Sequence, residues 1–170
     1  VLITEKYRAL NINLHQDPRY GSRVRHKLYV AIGELAMKVG AKTILDYGCG
    51  KGEMSKHLSK VTNYDPAVYE YFGKPRPHDV VACCDVLEHV EPECLEEVLQ
   101  DIERVAKKAI YLVISTRLAS KILSDGRNAH LIVESPSWWL EKIKTSFTGW
   151  QVKTVDTSKP SEVTFILLGV

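Results

Sequence analysis

The chain has 170 residues, 45% of them apolar and 26% charged, and 23 Lys and Arg against 21 Asp and Glu leave a net charge of +2. This length fits one domain and is short for two, and the composition excludes a disordered or fibrous chain. The small net charge lacks the footprint of a general nucleic-acid binder, and no apolar run is long enough to cross a bilayer.

Residues 1–22 read as an irregular lead-in, with Asp17-Pro18 and Gly21 as turn signals. From Val24, apolar residues at Leu28, Ile32, Leu35, Ala36 and Val39 keep helical spacing, and Gly40 fits the helix stop. Lys42 to Asp46 reads as a short buried strand. A glycine-rich turn follows at Gly48 to Gly52, then a short helix with Met54, Leu58 and Val61 on one face. Val61 to Tyr64 reads as a second strand ending at Asp65-Pro66. Residues 67–78 carry no clear pattern, and Pro75 and Pro77 argue against regular structure there.

Asp79 to Cys84 is the third strand. Pro92 suits the first position of a helix, with Glu93, Glu96 and Glu97 at its positive dipole end and Leu95, Val98, Leu99, Ile102 and Val105 at helical spacing. Ala109 to Ser115 is an apolar strand, and a long polar connection runs from Thr116 to Glu134. Ser135-Pro136 is a cap and N1 proline for a helix with Trp139, Leu140, Ile143 and Phe147 facing inward. Trp150 to Val155 and Val163 to Leu168, joined by turn-rich Asp156 to Ser161, read as a hairpin. Strands alternating with helices and ending in a hairpin predict an α/β fold with a mostly parallel sheet between two helical layers.

The sharpest motif is Ile44-Leu-Asp-Tyr-Gly-Cys-Gly-Lys-Gly52, between a strand and a helix. Its glycines permit a sharp turn and a close ligand, and in an open α/β sheet such a turn lies at the ligand-binding edge. A dinucleotide site would have glycine three positions after Gly50. Glu53 stands there instead, and its carboxylate would repel a pyrophosphate at the helix start. The spacing suits a ligand without phosphates, and Asp46 suits one carrying positive charge. Asp65, at the end of the next strand, can accept hydrogen bonds from both hydroxyls of a ribose.

Together, Leu45 to Gly52, Tyr64-Asp65-Pro66 and Asp79-Val-Val-Ala-Cys-Cys-Asp-Val-Leu-Glu-His-Val90 resemble the class I S-adenosylmethionine-dependent methyltransferases, closest to small stand-alone bacterial and phage members. The resemblance implies a Rossmann-like three-layer sandwich and S-adenosylmethionine as cofactor. It places Asp46, Gly48, Cys49, Gly50 and Gly52 at the methionine half, Asp65 and Pro66 at the ribose, and Cys84 and Asp85 near the sulfonium. It also implies that residues 1–23, with His15 and Tyr20, form a lid over a core of residues 24–170. The segment between Asp65 and Asp79 is shorter than the family's usual helix, strand and adenine-contacting acid. Either an edge strand is missing or backbone and apolar groups around Ala67 to Phe72 hold the adenine, and Asp79 need not inherit the acid's role.

For the acceptor side, the connection after the Ala109 strand offers Asp125, Arg127 and His130. His130 is a candidate general base and Arg127 a candidate clamp for a carboxylate or phosphate. His89 could face the methyl donor. No metal is expected: Cys83 and Cys84, adjacent on a strand, point to opposite faces and cannot readily join His89 and Cys94 around one tetrahedral ion. Four cysteines without a C-x-x-C pair fit a reducing, cytoplasmic setting. Residues 1–44 carry eight Lys and Arg against three Asp and Glu, while residues 63–103 carry eleven acids against two bases. A basic lead-in of this kind suits a small, anionic acceptor. The expected function is methyl transfer to a small molecule, with a non-catalytic S-adenosylmethionine-binding sensor or subunit as the alternative.

Overall fold

A computed structural model describes residues 1–156 and 159–169; Thr157, Ser158 and Val170, and with them part of the expected Asp156 to Ser161 turn, lie outside the described residues. Helices α1 (Glu5–His15) and α2 (His26–Lys38) precede strand β1 (Ile44–Tyr47), the short helix α3 (Glu53–His57), β2 (Val61–Tyr64) and β3 (His78–Cys84). Two 3-10 turns, Leu87–His89 and Pro92–Cys94, lead into α4 (Leu95–Val105) and β4 (Ala106–Ser115). Helix α5 (Pro136–Ser146) and strands β5 (Trp150–Val155) and β6 (Glu162–Gly169) complete the chain.

The six strands lie in the order β2-β1-β3-β4-β6-β5. Strands β2, β1, β3 and β4 pair in parallel, and β6 runs antiparallel to both β4 and β5. The period of two along each strand divides the core. Leu45, Val81, Cys83, Ile110 and Leu112 pack with Leu99 and Ile102 of α4 and Trp139 and Ile143 of α5. Ile44, Val80, Ala82, Ala109 and Val113 face the other way, onto Tyr29, Ile32 and Leu35 of α2 and Met54 of α3. This is the Rossmann-like three-layer sandwich expected from the resemblance, with its C-terminal antiparallel hairpin. Among the described residues no strand lies between β2 and β3, so β2 is an edge.

The structure corrects several local expectations. The lead-in is not irregular: α1 fills most of it, capped by Thr4, whose hydroxyl accepts from Tyr7 N at 3.2 Å. Val24 precedes α2 and is exposed, because the helix starts at His26. Helix α3 ends at His57; Lys60 turns through the left-handed region at φ 64°, and Val61 opens β2 instead of closing the helix. Pro92 opens a 3-10 turn ahead of α4. The Ser135 cap holds, its hydroxyl accepting from Trp138 N at 3.2 Å.

Candidate functional site

At the carboxyl ends of β1, β2 and β3 lies a cavity of about 470 Å³, within the range of small-molecule sites. Its floor is the turn after β1. Gly48, Gly50 and Gly52 all have positive φ, at 80°, 53° and 70°. Packing demands glycine there as strongly as the backbone does. A Cβ on Gly48 would lie 2.4 Å from Val86, one on Gly50 2.8 Å from the Gly21 carbonyl, and one on Gly52 2.6 Å from Asn63. The glycines therefore serve the close fit of the turn against neighbouring segments, beyond the approach of a ligand expected from sequence.

Asp46, at the end of β1, is 6% exposed and lines the cavity. Among the described residues nothing donates a hydrogen bond to its carboxylate. Burial, and then the neighbouring Asp65, pushes its pKa up to about 7. Asp65 is also buried and raised by burial, but its oxygens are engaged: Oδ2 accepts from Gly50 N and Oδ1 from Ala67 N, both at 2.9 Å. Each carboxylate oxygen carries a second lone pair, so Asp65 retains acceptor capacity. Two neighbouring acids, one of them unpartnered, give this end of the cavity an affinity for a ligand with positive charge and hydroxyl donors.

Cys49, Pro66, Cys84 and Asp85 line the same cavity. Burial holds the Cys84 thiol well above its usual range, so it is a neutral wall. Asp85 sits in the left-handed region at φ 57°, and its Oδ2 is taken by Arg25 at 2.7 Å. The same guanidinium bridges to Glu162 at 2.7 Å, tying α2 to β6 across the cavity edge. Asp79 lies at the opposite end of β3, where its carboxylate accepts from Lys42 N at 2.7 Å, away from the cavity. Pro66 and Ala67 line the cavity, whereas Tyr69 and Phe72 are largely exposed.

The lead-in forms the roof. Tyr7 hydroxyl donates to the His89 carbonyl at 2.5 Å, Thr4 donates twice to Glu91, and Lys51 N donates to the Gly21 carbonyl at 3.0 Å. Tyr7 also packs with Leu123 and Ala129 of the long connection in a small separate core. His15 and Tyr20 line the cavity, their rings 4.9 Å apart.

The connection after β4 contributes only part of the expected acceptor set. His130 lines the cavity, and its ring meets that of His89 edge-on at 4.6 Å. Asp125 and Arg127 do not line it. They are exposed and pair with each other at 2.9 Å in the turn around Gly126, with Arg127 also lying 5.5 Å over the Tyr7 ring. Asp-Gly chemistry and a tether to α1 account for both residues. Asn128 braces the same loop, donating to the Ala119 carbonyl and accepting from Ala119 N, each at 2.9 Å.

Sequence reasoning missed Glu88 as a site residue. It is fully buried, lines the cavity, and accepts from Ser115 N through Oε1 at 3.0 Å, while its Oε2 has no partner among the described residues. Burial, and then Asp85, raises its pKa to about 8; burial, and then His130, lowers that of His89 to about 4. An acid four residues past the end of an apolar strand and directly before a histidine was the available signal. The four cysteines are free, and the arrangement of Cys83 and Cys84 on opposite faces of β3 follows the strand alternation.

Residues 20–158 match the family model described as a methyltransferase domain. Among solved structures, DhpI in complex with SAH matches over 96% of this chain and 93% of its own, at 16% identity and a TM-score of 0.55. The methyltransferase domain of a bacterial Hen1 matches over 82% of this chain and 96% of its own, at 14% identity and a TM-score of 0.62. Magnesium protoporphyrin IX methyltransferase from Synechocystis, with bound SAH, matches over 85% and 82%, at 13% identity and a TM-score of 0.57. Such identities show a shared fold. No curated protein matches the chain in sequence.

Proposed function

The chain belongs to the methyltransferase-domain family, and from that premise we propose that it transfers a methyl group from S-adenosylmethionine to a small-molecule acceptor. The observation that carries the cofactor assignment is Asp46: a buried carboxylate in the cavity, raised in pKa and without a hydrogen-bond donor among the described residues. A cationic ligand relieves that cost. The presence of SAH in two of the fold relatives supports the same choice. When bound, S-adenosylmethionine supplies a methyl on a sulfonium, whose carbon–sulfur bond breaks with its electron pair left on sulfur as the acceptor's pair forms the new bond.

In this reading Asp46 and the turn through Gly48, Cys49, Gly50 and Gly52 hold the methionine half. Asp65, with its remaining lone pairs, and Pro66 hold the ribose. Cys84 and Asp85 wall the sulfonium end, Asp85 being fixed by Arg25. His89 and His130 stand at the acceptor end beneath α1, and residues 1–23 act as a lid on a single domain of residues 1–170. Because the donor is intrinsically reactive, positioning carries most of the catalysis. The roofed cavity favours a small acceptor over a polymer, and four free thiols suit a reducing cytoplasm.

Calorimetry tests the cofactor site: the wild type binds S-adenosylmethionine, and Asp65→Ala loses that binding while keeping its melting transition. Unchanged affinity in the variant overturns the assignment. Incubation with donor labelled in the methyl group, once with a metabolite extract and once with RNA, tests the acceptor. Label in a small molecule supports the proposal. Label only in RNA overturns its acceptor class, and label in neither favours a non-catalytic binder.

A further inference from the structure

At the acceptor end of the cavity, Glu88, His89 and His130 converge from two segments of the chain. Each offers one ligand atom, and these atoms all lie within 4.8 Å of one another. The surrounding hydrogen bonds decide which atoms remain available. His89 Nδ1 lies 2.8 Å from the Ala129 carbonyl and His130 Nδ1 lies 2.5 Å from the Arg117 carbonyl. A carbonyl only accepts, so each Nδ1 carries the proton and each Nε2 is left with a free lone pair. Glu88 Oε1 is occupied by Ser115 N, whereas Oε2 is buried with no partner among the described residues.

We propose that Glu88, His89 and His130 form a binding site for a divalent transition-series cation, open on the side that faces the acceptor. Two observations point there independently. A fully buried carboxyl oxygen without a partner among the described residues calls for a proton or a cation beside it. Two imidazoles oriented by backbone carbonyls have the arrangement of metal-ligating histidines, whose second nitrogen is fixed by a hydrogen bond to an acceptor. Nitrogen donors select a transition-series ion over magnesium or calcium. Bonds of about 2.1 Å place neighbouring donors roughly 3 to 3.5 Å apart, so a closure of roughly 1.5 Å at the widest pair completes the site. Asp85 does not belong to this group of three, and its Oδ2 is engaged by Arg25. Three protein ligands leave open positions, as in catalytic metal sites.

This site refines the methyl-transfer reading, on which its role rests. A hydroxyl oxygen coordinated at an open position loses its proton to water at lower pH than a free hydroxyl and becomes the stronger nucleophile. The acceptor is then an oxygen acceptor. His130 serves by holding the cation and carries no acceptor proton itself. The binding of the ion stands without the reading.

The test is a titration of the full chain, in the absence of donor, with Co²⁺ followed by visible absorption and with Zn²⁺ followed by calorimetry. One ion per chain is expected, with a cobalt spectrum free of thiolate charge transfer. His130→Ala and His89→Ala should each weaken binding by at least about tenfold while keeping the thermal transition, and Asp125→Ala should leave it unchanged. Glu88→Gln tests the carboxylate; if it does not fold, the two histidine variants carry the test. No saturable binding below millimolar metal, a thiolate band, or equal affinity in the histidine variants overturns the site. A chain that binds cobalt as expected but binds no S-adenosylmethionine keeps the metal site and loses the methyl-transfer reading, and the opposite pair of results does the reverse.

Discussion

Replacing Asp46 by Asn tests the electrostatic core of the cofactor site. The carboxyl titrates near 3.8 when unperturbed and is pushed up to about 7 in the fold. The folded chain therefore holds a proton that the unfolded chain has released. Its contribution to stability is fully present below pH 4 and is lost as the pH rises towards 7. At about 1.4 kcal/mol per unit, the full shift is worth roughly 4 kcal/mol. Between pH 5 and pH 8 the wild type should lose roughly 2–3 kcal/mol to this group, a loss that Asp46→Asn avoids. Denaturant unfolding of both proteins at the two pH values measures it, and the difference between them removes the other titrating groups. The cationic donor favours the ionised carboxylate. Binding at pH 6 should release a proton from the wild type, seen as a dependence of calorimetric heat on buffer ionisation, and the variant should bind at least about tenfold more weakly. A stability difference independent of pH, or equal donor affinity, refutes the reasoning.

Gly50→Ala places a Cβ 2.8 Å from the Gly21 carbonyl at φ 53°; it should cost roughly 1–3 kcal/mol in unfolding experiments and loosen the lead-in, read as faster hydrogen exchange over residues 5–15. Tyr7→Phe removes the hydroxyl that donates to the His89 carbonyl; a loss of about 1 kcal/mol and earlier proteolysis within α1 are expected, with the core transition otherwise intact. Arg25→Ala removes the cation that bridges Asp85 and Glu162; a destabilisation of roughly 2–4 kcal/mol is expected in denaturant unfolding, and Arg25→Met, which keeps the apolar stem, should lose nearly as much. Wild-type stability in Arg25→Met would show that the side chain acts through packing alone.

The sheet was legible because its central strands are short apolar runs and its outer ones are bounded by turn residues. Val61 to Tyr64 carries the same bounds in the sequence reading and in the structure, and Ser135-Pro136 opens α5 as its cap chemistry demands. The lead-in helix was hidden for a physical reason. Its sequence, EKYRALNINLH, buries only Tyr7 and Asn11, and its cap residue Thr4 is itself held by Glu91 from a distant turn. Tertiary contacts, not periodicity, stabilise it. The glycine turn and its two acids were legible because they are local. That Asp46 would lack a donor while Asp65 would have two was not, since the donors of Asp65 are amides set by the fold. The convergence of Glu88 with His130 was equally invisible, because His130 arrives on a connection whose path depends on Asn128 clamping Ala119 and on packing against α1. The expected roles of Asp125 and Arg127 failed for the complementary reason. A local Asp-Gly turn with Arg two residues on satisfies itself, and nothing in the sequence distinguishes that from a binding loop.

The shortened segment between Asp65 and Asp79 connects these observations. With no strand beyond β2 among the described residues, the corner at Asp65-Pro66 lacks the neighbouring layer that a longer middle section would supply. The lead-in takes that place. Arg8 Nε donates to the Pro66 carbonyl at 2.7 Å, and its guanidinium lies 5.6 Å over the Phe72 ring. Inside the corner, Asp65 N donates to the Tyr71 carbonyl at 3.2 Å, folding residues 65–71 back on themselves. From the adjacent position the same helix holds the His89 carbonyl through Tyr7 and meets the connection that carries His130. One polar helix thus braces both the cofactor corner and the acceptor end. A perturbation of α1 should therefore weaken donor binding and metal binding together, whereas a perturbation of either site's own residues should weaken only one.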